Sequence, residues 1–315
     1  MLSRVADALY WMSRYLERAE HIARVVNVNL NVTLDRAPSD ASPKWGRLLT
    51  SLPEPPPAAL RTPAESGDVI FDLANHESIQ ACVGAARENA RQVREEISSE
   101  MWEELNRLYL FLGRVPNAEN WGGGAHGFLT ATVSGVQMFQ GVTDATMTHA
   151  EGWHFMELGR YLERAGATAA LLEVQYRDCS WETDAGSVSE YAEWVGVLKS
   201  CCAFEAYCRH YTADLRPQRI AEFLILNSDF PRSIHFAAGR IQASLKALAS
   251  LPGRRSNRAD RFAGRLLASL DYGQTDEIVA DIAPYLQGIS RQTQLINGAI
   301  QQQYITYAID GEMAI

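Results

Sequence analysis

A charged hexapeptide that occurs twice is the first candidate for chemistry in this sequence. The residues RYLERA occupy positions 14–19 and recur unchanged at positions 160–165, 146 residues later. Glutamate can orient or deprotonate an amine, and the planar fork of arginine pairs with a carboxylate or a phosphate. Two such motifs brought together would form a cleft able to bind a charged ligand.

A helical wheel leaves the burial of this motif open. Glu17 and Glu163 lie about 130° from the centres of their apolar seams, with Arg14 and Arg160 nearly opposite those centres. One interpretation is a solvated face carrying weak intrahelical pairs such as Arg14–Glu17. A solvated face has no physical reason to repeat the same charged residues, so the repetition favours a face that lines a shared cleft.

A second group of arginines follows in RENARQVR, residues 87–94. Arg87 and Arg94 are seven residues apart, so they lie on one stripe near the apolar side of their helix. Arginine in such a position needs a carboxylate or an anionic ligand. Glu20 is the predicted partner, and a structural buried ion pair is the alternative to a ligand site.

Other familiar signatures are incomplete. Glu151 and His154 form an E-x-x-H pair with the spacing of di-iron carboxylate bundles, but no second E-x-x-H occurs in the chain, so no metal is predicted. The glycines at 122–124 lack the lysine of a phosphate-binding loop, and no other cofactor is predicted. Pro231 predicts a helix start, where Arg232 and free backbone N–H groups could receive an anion; a simple helix cap is the alternative.

Helical periodicity explains nearly the whole sequence. Apolar residues from Leu2 to Leu30 recur at spacings of three and four, which predicts a first helix of about eight turns. Residues 36–68 hold seven of the twelve prolines and predict a surface excursion. Helical spacing then runs from about 69 to 111 in one long segment, and 113–127 is a glycine-rich loop. We expect an all-α bundle of roughly ten helices.

The repeated motif also suggests an internal duplication. It divides residues 1–315 into related halves, about 1–145 and 146–315, that we expect to pack as one domain. The copies diverge directly after the motif. Three larger residues of the first copy correspond to small residues of the second: Glu20, His21 and Arg24 correspond to Gly166, Ala167 and Ala170.

The amino-acid composition and net charge exclude several classes of protein. Of the 315 residues, 47% are apolar and 21% are charged, and 29 basic against 38 acidic residues give a net charge of −9. These values exclude a disordered chain and predict no attraction to nucleic acid or to an anionic membrane. Five cysteines without a CxxC and the absence of a long apolar run predict a cytoplasmic protein.

Four segments in order carry a resemblance to a known family. The segments YWMSRYLERAEHIAR, RENARQVREEIS with EMWEELN, GWHFMELGRYLERA and FLILNSDFPRSIHF together resemble the bacterial alpha-E family, from residue 2 to about residue 307. Positions that match the motifs of that family are Arg14, Glu17, Arg18, Glu20, Arg24, Arg87, Glu88, Asn89, Arg91, Arg94, Arg160, Glu163, Arg164, Pro231, Arg232 and Ser233.

The resemblance implies partner proteins as well as a fold. Members are encoded beside, or fused to, a circularly permuted ATP-grasp protein, often with a transglutaminase-like peptidase nearby. We therefore expect a helical partner of an ATP-grasp ligase that forms an amide bond on a peptide or amino-acid substrate. Arg87, Arg94 or Arg232 would bind an acyl phosphate, and Glu17 or Glu163 would orient or deprotonate the amine. The alternative is a non-catalytic scaffold whose Glu/Arg motifs are structural ion pairs.

Overall fold

The computed structural model describes residues 1–34, 50–52, 78–114, 125–177, 188–212, 214–251 and 258–305. These residues form twelve α-helices and no strand, which confirms the all-α prediction. The helices are α1 Ser3–Leu34, α2 Ile79–Gln92, α3 Ser99–Leu112, α4 Ala125–Thr146, α5 Glu151–Arg177, α6 Val188–Ser200, α7 Phe204–Tyr211, α8 Pro217–Leu226, α9 Ile234–Ala249, α10 Arg258–Asp271, α11 Thr275–Ala280 and α12 Ile282–Ile300, and a π-helical turn follows at Gln301–Ile305. The predicted proline-rich excursion and most of the glycine-rich loop lie outside the described residues.

The two helices that carry the RYLERA motif form the centre of the bundle. α1 packs on α5 more extensively than any other pair of helices, and α2, α4 and α6 surround the rest of α1. α9 and α12 cover α5, α10 lies against both, and α3 packs outside α2 and α4. Leu9, Met12 and Leu16 of α1 are at most 1% exposed, as the apolar seam predicts.

The central helices run in the same direction. The N-terminal amine of Met1 pairs with Glu151 at the start of α5, and Arg14 pairs with Glu163 further along both helices. A side chain at Gly159 would meet the carbonyl oxygen of Tyr10, so this glycine permits the close approach of the two backbones. The parallel arrangement places the two copies of the motif side by side.

The prediction of one long helix from about 69 to 111 is wrong. α2 ends at Gln92, and α3 begins only after Ser98, whose side-chain oxygen accepts a hydrogen bond from the backbone N–H of Met101 at 3.1 Å. Serine at this position caps a new helix more favourably than it continues an old one. The start of the predicted segment, before residue 78, lies outside the described residues.

Candidate functional site

The two copies of the motif exchange their ion pairs. Arg164 Nε and Nη2 donate to the two carboxylate oxygens of Glu17 at 2.6 and 2.7 Å. In return, Arg18 Nε and Nη2 donate to the two carboxylate oxygens of Glu163 at 2.6 and 3.1 Å. The glutamate of each Glu-Arg dipeptide therefore binds the arginine of the other. Both pairs are bidentate, the strongest form of such a contact.

These four side chains are buried between α1 and α5. Glu17 is 1% exposed, and Glu163, Arg18 and Arg164 are each 6 or 7% exposed. The solvated-face interpretation of the motif is therefore wrong. The predicted intrahelical pair Arg14–Glu17 is also replaced, because Arg14 Nε donates to Glu163 Oε2 at 2.8 Å.

Further charged residues extend the exchange into what we call the ionic cluster. Arg232 reaches Glu17 Oε1 at 3.3 Å and Glu20 Oε1 at 2.5 Å, so it bridges the two carboxylates of α1. Arg24 donates to the same Glu20 oxygen at 2.7 Å. The ionic cluster comprises Arg14, Glu17, Arg18, Glu20, Arg24, Glu163, Arg164 and Arg232.

Uncharged side chains complete the cluster, and the sequence did not predict them. Gln140 of α4 donates to Glu17 Oε2 at 3.2 Å. Asn297 of α12 accepts hydrogen bonds from the Tyr10 hydroxyl at 2.6 Å and from Arg14 Nη1 at 3.0 Å. The ionic cluster and these side chains thus come from α1, α4, α5 and α12 and from the segment before α9, and only packing, not spacing, brings them together.

Local structure at the start of α9 explains the position of Arg232. Ser233 caps α9 by accepting a hydrogen bond from the N–H of Phe236 at 3.1 Å, and the side chain of Asn227 accepts from the N–H groups of Asp229 and Phe230. The carbonyl of Pro231 accepts from Arg164 at 3.1 Å. The helix cap predicted as the alternative is therefore present, and Arg232 binds carboxylates of this chain.

The electrostatics of the ionic cluster keep its glutamates ionised. Burial alone would raise the pKa of Glu17, but the charges of Arg164 and Arg232 outweigh it and lower that pKa to about 2. Burial is likewise outweighed at Glu163, whose pKa Arg14 and Arg18 hold below its ordinary value. Carboxylates with such low pKa values hold a proton weakly, so they suit charge pairing better than proton abstraction.

His21 is buried at the edge of the ionic cluster. It is 6% exposed, and its Nε2 atom makes no hydrogen bond to the described residues. Burial, together with the charge of Arg232, lowers its pKa to about 4. His21 is therefore a neutral imidazole at physiological pH.

Arg160 does not repeat the contacts of Arg14, its counterpart in the first copy. It donates to Glu157 Oε1 at 3.1 Å, while Arg240 Nη2 donates to Glu157 Oε2 at 2.6 Å. Glu157 is 2% exposed, so it forms a second buried ion-pair group one turn before the motif. Neither Glu157 nor Arg240 was predicted from the sequence.

The arginines of residues 87–94 lie outside the ionic cluster, and the predicted pairing of Glu20 with Arg87 or Arg94 is wrong. Arg87 Nε donates to Asn106 Oδ1 at 2.8 Å, and Arg94 donates to the carbonyl of Ile97 at 3.3 Å. Arg87 also lies over the ring of Tyr109. The contacts of Arg87 join α2 to α3, and Glu20 pairs with Arg24 and Arg232 instead. The remaining site residues predicted on α2 are Asn89, which is half-buried, and Arg91, which forms an exposed pair with Glu88.

A pocket of about 320 Å³ opens on one side of the ionic cluster, and we call it the Glu163 pocket. Arg14, Arg18 and Glu163 are the charged residues of its lining, and α12 contributes polar lining residues. The other lining residues are Thr50, Ser51, Leu52, Leu162, Gly166, Ala167, Ala170, Ser290, Thr293, Gln294 and Asn297. A volume of this order suits a small ligand.

Neither a metal centre nor a membrane span is found in the described part of the chain. No group of three or more His, Cys, Asp or Glu side chains there is arranged to hold a metal ion. Glu151 of the E-x-x-H pair binds the N-terminal amine instead. None of the described helices is both long and apolar enough to cross a membrane.

Fold and site define an all-helical protein whose two central helices are joined by exchanged Glu–Arg pairs. The chain belongs to the Alpha-E family, described as a predicted α-helical domain with a conserved ER motif, whose model matches residues 1–305. The dipeptide Glu-Arg occurs only twice in the sequence, at residues 17–18 and 163–164, where the structure shows the exchange.

Similar proteins occur in mycobacteria. Uncharacterised proteins of Mycobacterium bovis and Mycobacterium tuberculosis are each 26% identical over 314 residues, a match that covers 91% of this chain. The chain spans about a third of their length, since the match covers 35% of each relative. No solved structure matches the chain.

Proposed function

We propose that this protein is the helical, non-ATP-binding partner of an ATP-grasp ligase that forms an amide bond on a peptide or amino-acid substrate. The observation that carries the proposal is the Glu163 pocket, where Arg14, Arg18 and Glu163 of the ionic cluster line an opening large enough for a small ligand. An ATP-grasp enzyme uses ATP to generate an acyl phosphate. Because the reaction needs ATP, we propose that the ligase and this protein act in the cytoplasm. The relatives have room for a further domain, since 35% of their length is matched.

The structure favours a binding role over a basic one for the glutamates. Glu163 accepts hydrogen bonds from two arginines, and its pKa is held below the ordinary value by their charges despite burial. It would orient a substrate amine through charge rather than deprotonate it. Arg14, which is 15% exposed and borders the pocket, replaces Arg87 and Arg94 as the candidate contact for an anion.

A test of the partnership measures ADP release and product mass for the ATP-grasp protein with and without this chain. Amino acids and peptides from lysate serve as substrates. We expect both ADP release and a new amide product to require the chain. Glu163→Gln should reduce both while the chain stays folded by circular dichroism, and Glu88→Gln, in an exposed pair, is the matched control. Equal ADP release and product without the chain would contradict the proposal.

The second candidate function is a non-catalytic scaffold for the ligase and a transglutaminase-like peptidase. It is favoured by Glu17, which is 1% exposed and accepts hydrogen bonds from Arg164, Arg232 and Gln140. A carboxylate so fully occupied contributes to architecture rather than to a ligand site. Under this function the partners bind the chain in a pull-down, and ADP release does not depend on Glu163.

A further inference from the structure

We propose that this protein associates head to tail with a second copy of itself, through two oppositely charged stripes on different sides of the bundle. The basic stripe consists of three arginines of α10: Arg258, Arg261 and Arg265. The acidic stripe consists of three glutamates in the first turn of α3 and just before it: Glu96, Glu100 and Glu103. Neither stripe belongs to the ionic cluster or to the Glu163 pocket, so the association does not depend on the proposed function.

The basic stripe covers the outer face of α10. Its arginines are exposed, and their spacing of i, i+3, i+7 places them on one side of the helix, away from the buried Leu266. Arg258 lies over the ring of Phe262. Neither Arg261 nor Arg265 has a hydrogen-bond or ion-pair partner within the described part of the chain. These two cations are therefore available to a second molecule.

The acidic stripe has the opposite charge and the same accessibility. Glu100 and Glu103 are exposed at a spacing of i, i+3, and Glu96 is exposed in the turn that precedes the helix. None of the three has a hydrogen-bond or ion-pair partner among the described residues. Arg107, further along the same face of α3, is already paired with Glu104. The stripe thus presents three carboxylates to a partner.

On both helices the charged stripe is followed by an exposed apolar side chain at the same distance. Leu110 is 46% exposed and lies seven residues after Glu103. Tyr272 is 82% exposed and lies seven residues after Arg265, in a turn that continues α10, since its N–H donates to the carbonyl of Ala268. Seven residues span about 10.5 Å along a helix. Parallel packing of α3 on α10 therefore matches the charged residues and the apolar residues in one register.

The position of the stripes in the bundle requires two molecules. α3 packs on α2 and α4, which cover α1, whereas α10 packs on α9 and α12, which cover α5. One chain therefore cannot join its own stripes. Two basic stripes, or two acidic stripes, would repel each other, so a symmetric contact of like stripes is disfavoured. A head-to-tail contact leaves one stripe of each kind open at the ends, where further copies can add.

The test is sedimentation equilibrium of the chain over a range of concentrations, at low ionic strength, where surface charges are least screened. We expect the average mass to rise with concentration above the mass of one chain. Arg261→Glu with Arg265→Glu should hold the mass at that of one chain, because acidic side chains then face the acidic stripe. Glu100→Arg with Glu103→Arg should have the same effect through the other stripe.

A matched control changes the net charge without changing a stripe. Arg4→Glu with Arg209→Glu reverses two exposed arginines of α1 and α7, and it should associate as the unmodified chain does. Circular dichroism confirms that each variant is folded. If a charge-reversed variant does not fold, Leu110→Ser replaces it and should weaken association about fivefold or more, because an apolar contact is lost. Unchanged association of Leu110→Ser would contradict the register.

Mixing the two charge-reversed variants separates head-to-tail contact from any other association. The intact acidic stripe of one variant fits the intact basic stripe of the other, so an equimolar mixture should associate although neither variant does so alone. An unmodified chain that keeps the mass of one chain at every concentration would overturn the proposal. Association that persists in either reversed variant, or a mixture that does not associate, would do the same.

Discussion

Glu17 accepts two hydrogen bonds from Arg164, at 2.6 and 2.7 Å, and thereby joins α1 to a helix whose arginine lies 147 residues further along the chain. Arg18 and Glu163 make the same contact in the opposite sense. The dipeptide that identifies the family thus joins two parallel central helices. One of the two exchanged pairs, Arg18 with Glu163, borders a pocket.

Removal of the Glu17 charge should be strongly destabilising. In Glu17→Gln, Arg164 and Arg232 lose their shared carboxylate in a site that is nearly inaccessible to water, and an uncompensated buried charge costs ~3–5 kcal/mol. Urea denaturation measures the change. Glu88→Gln, which removes one partner of an exposed pair, should leave the midpoint unchanged. Equal midpoints for the two variants would show that the ionic cluster does not stabilise the fold.

The approach of α1 to α5 should depend on Gly159. A methyl group there would lie against the carbonyl oxygen of Tyr10, so Gly159→Ala must separate the helices and should cost ~1–3 kcal/mol or more. Gly141→Ala, at an exposed helical position with nothing within 4 Å, should instead stabilise by ~0.5–1 kcal/mol. Thermal melts of both variants decide the matter, and a stabilised Gly159→Ala would refute the close contact.

The stability of the chain should fall as the pH falls from 6.5 towards 4. Burial lowers the pKa of His21 to about 4 from the ordinary 6.5, so in this window the unfolded chain takes up a proton that the folded chain refuses. The slope from this group is at most about 1.4 kcal/mol per pH unit. His21→Gln should flatten it in urea titrations at pH 7, 6, 5 and 4. The same slope in the variant and the unmodified chain would exclude His21 as its source.

A separate acid transition should follow from Glu17. Arg164 and Arg232 lower its pKa to about 2, against the opposing effect of burial, so its contribution is complete above about pH 4.5 and is lost as the pH falls towards 2. Glu17→Gln should remove this loss, although the variant is less stable at neutral pH. Circular dichroism between pH 5 and 2 measures it, and an unaltered transition in Glu17→Gln would assign it to other carboxylates.

The sequence predicted the helices better than it predicted the site. Apolar periodicity predicted α1, and Pro231 lies two residues before Ser233, which caps α9. It did not show that Glu17 is buried, because α1 is surrounded by other helices and a single apolar stripe describes only one of its contacts. The repetition of the motif was the better indicator.

Contacts between residues far apart in the sequence explain the other differences between the predicted site and the observed one. Asn297 is 283 residues from Arg14, and no spacing rule connects them. Arg87 was expected near Glu20 because both lie near apolar flanks, yet Arg87 contacts Asn106 and two aromatic rings of the neighbouring helix α3. A sequence pattern gives the face of a helix but not the neighbour that covers it.

The most direct measurement is a double-mutant cycle on the exchanged pairs. Glu17→Gln and Arg164→Gln, alone and together, are compared by urea denaturation, and Arg18→Gln with Glu163→Gln forms the reciprocal cycle. Because each glutamate binds the arginine of the other copy, we expect the double variants to lose less stability than the sum of the singles, by 1 kcal/mol or more in both cycles. Additive losses would contradict the exchange of ion pairs between the two motifs.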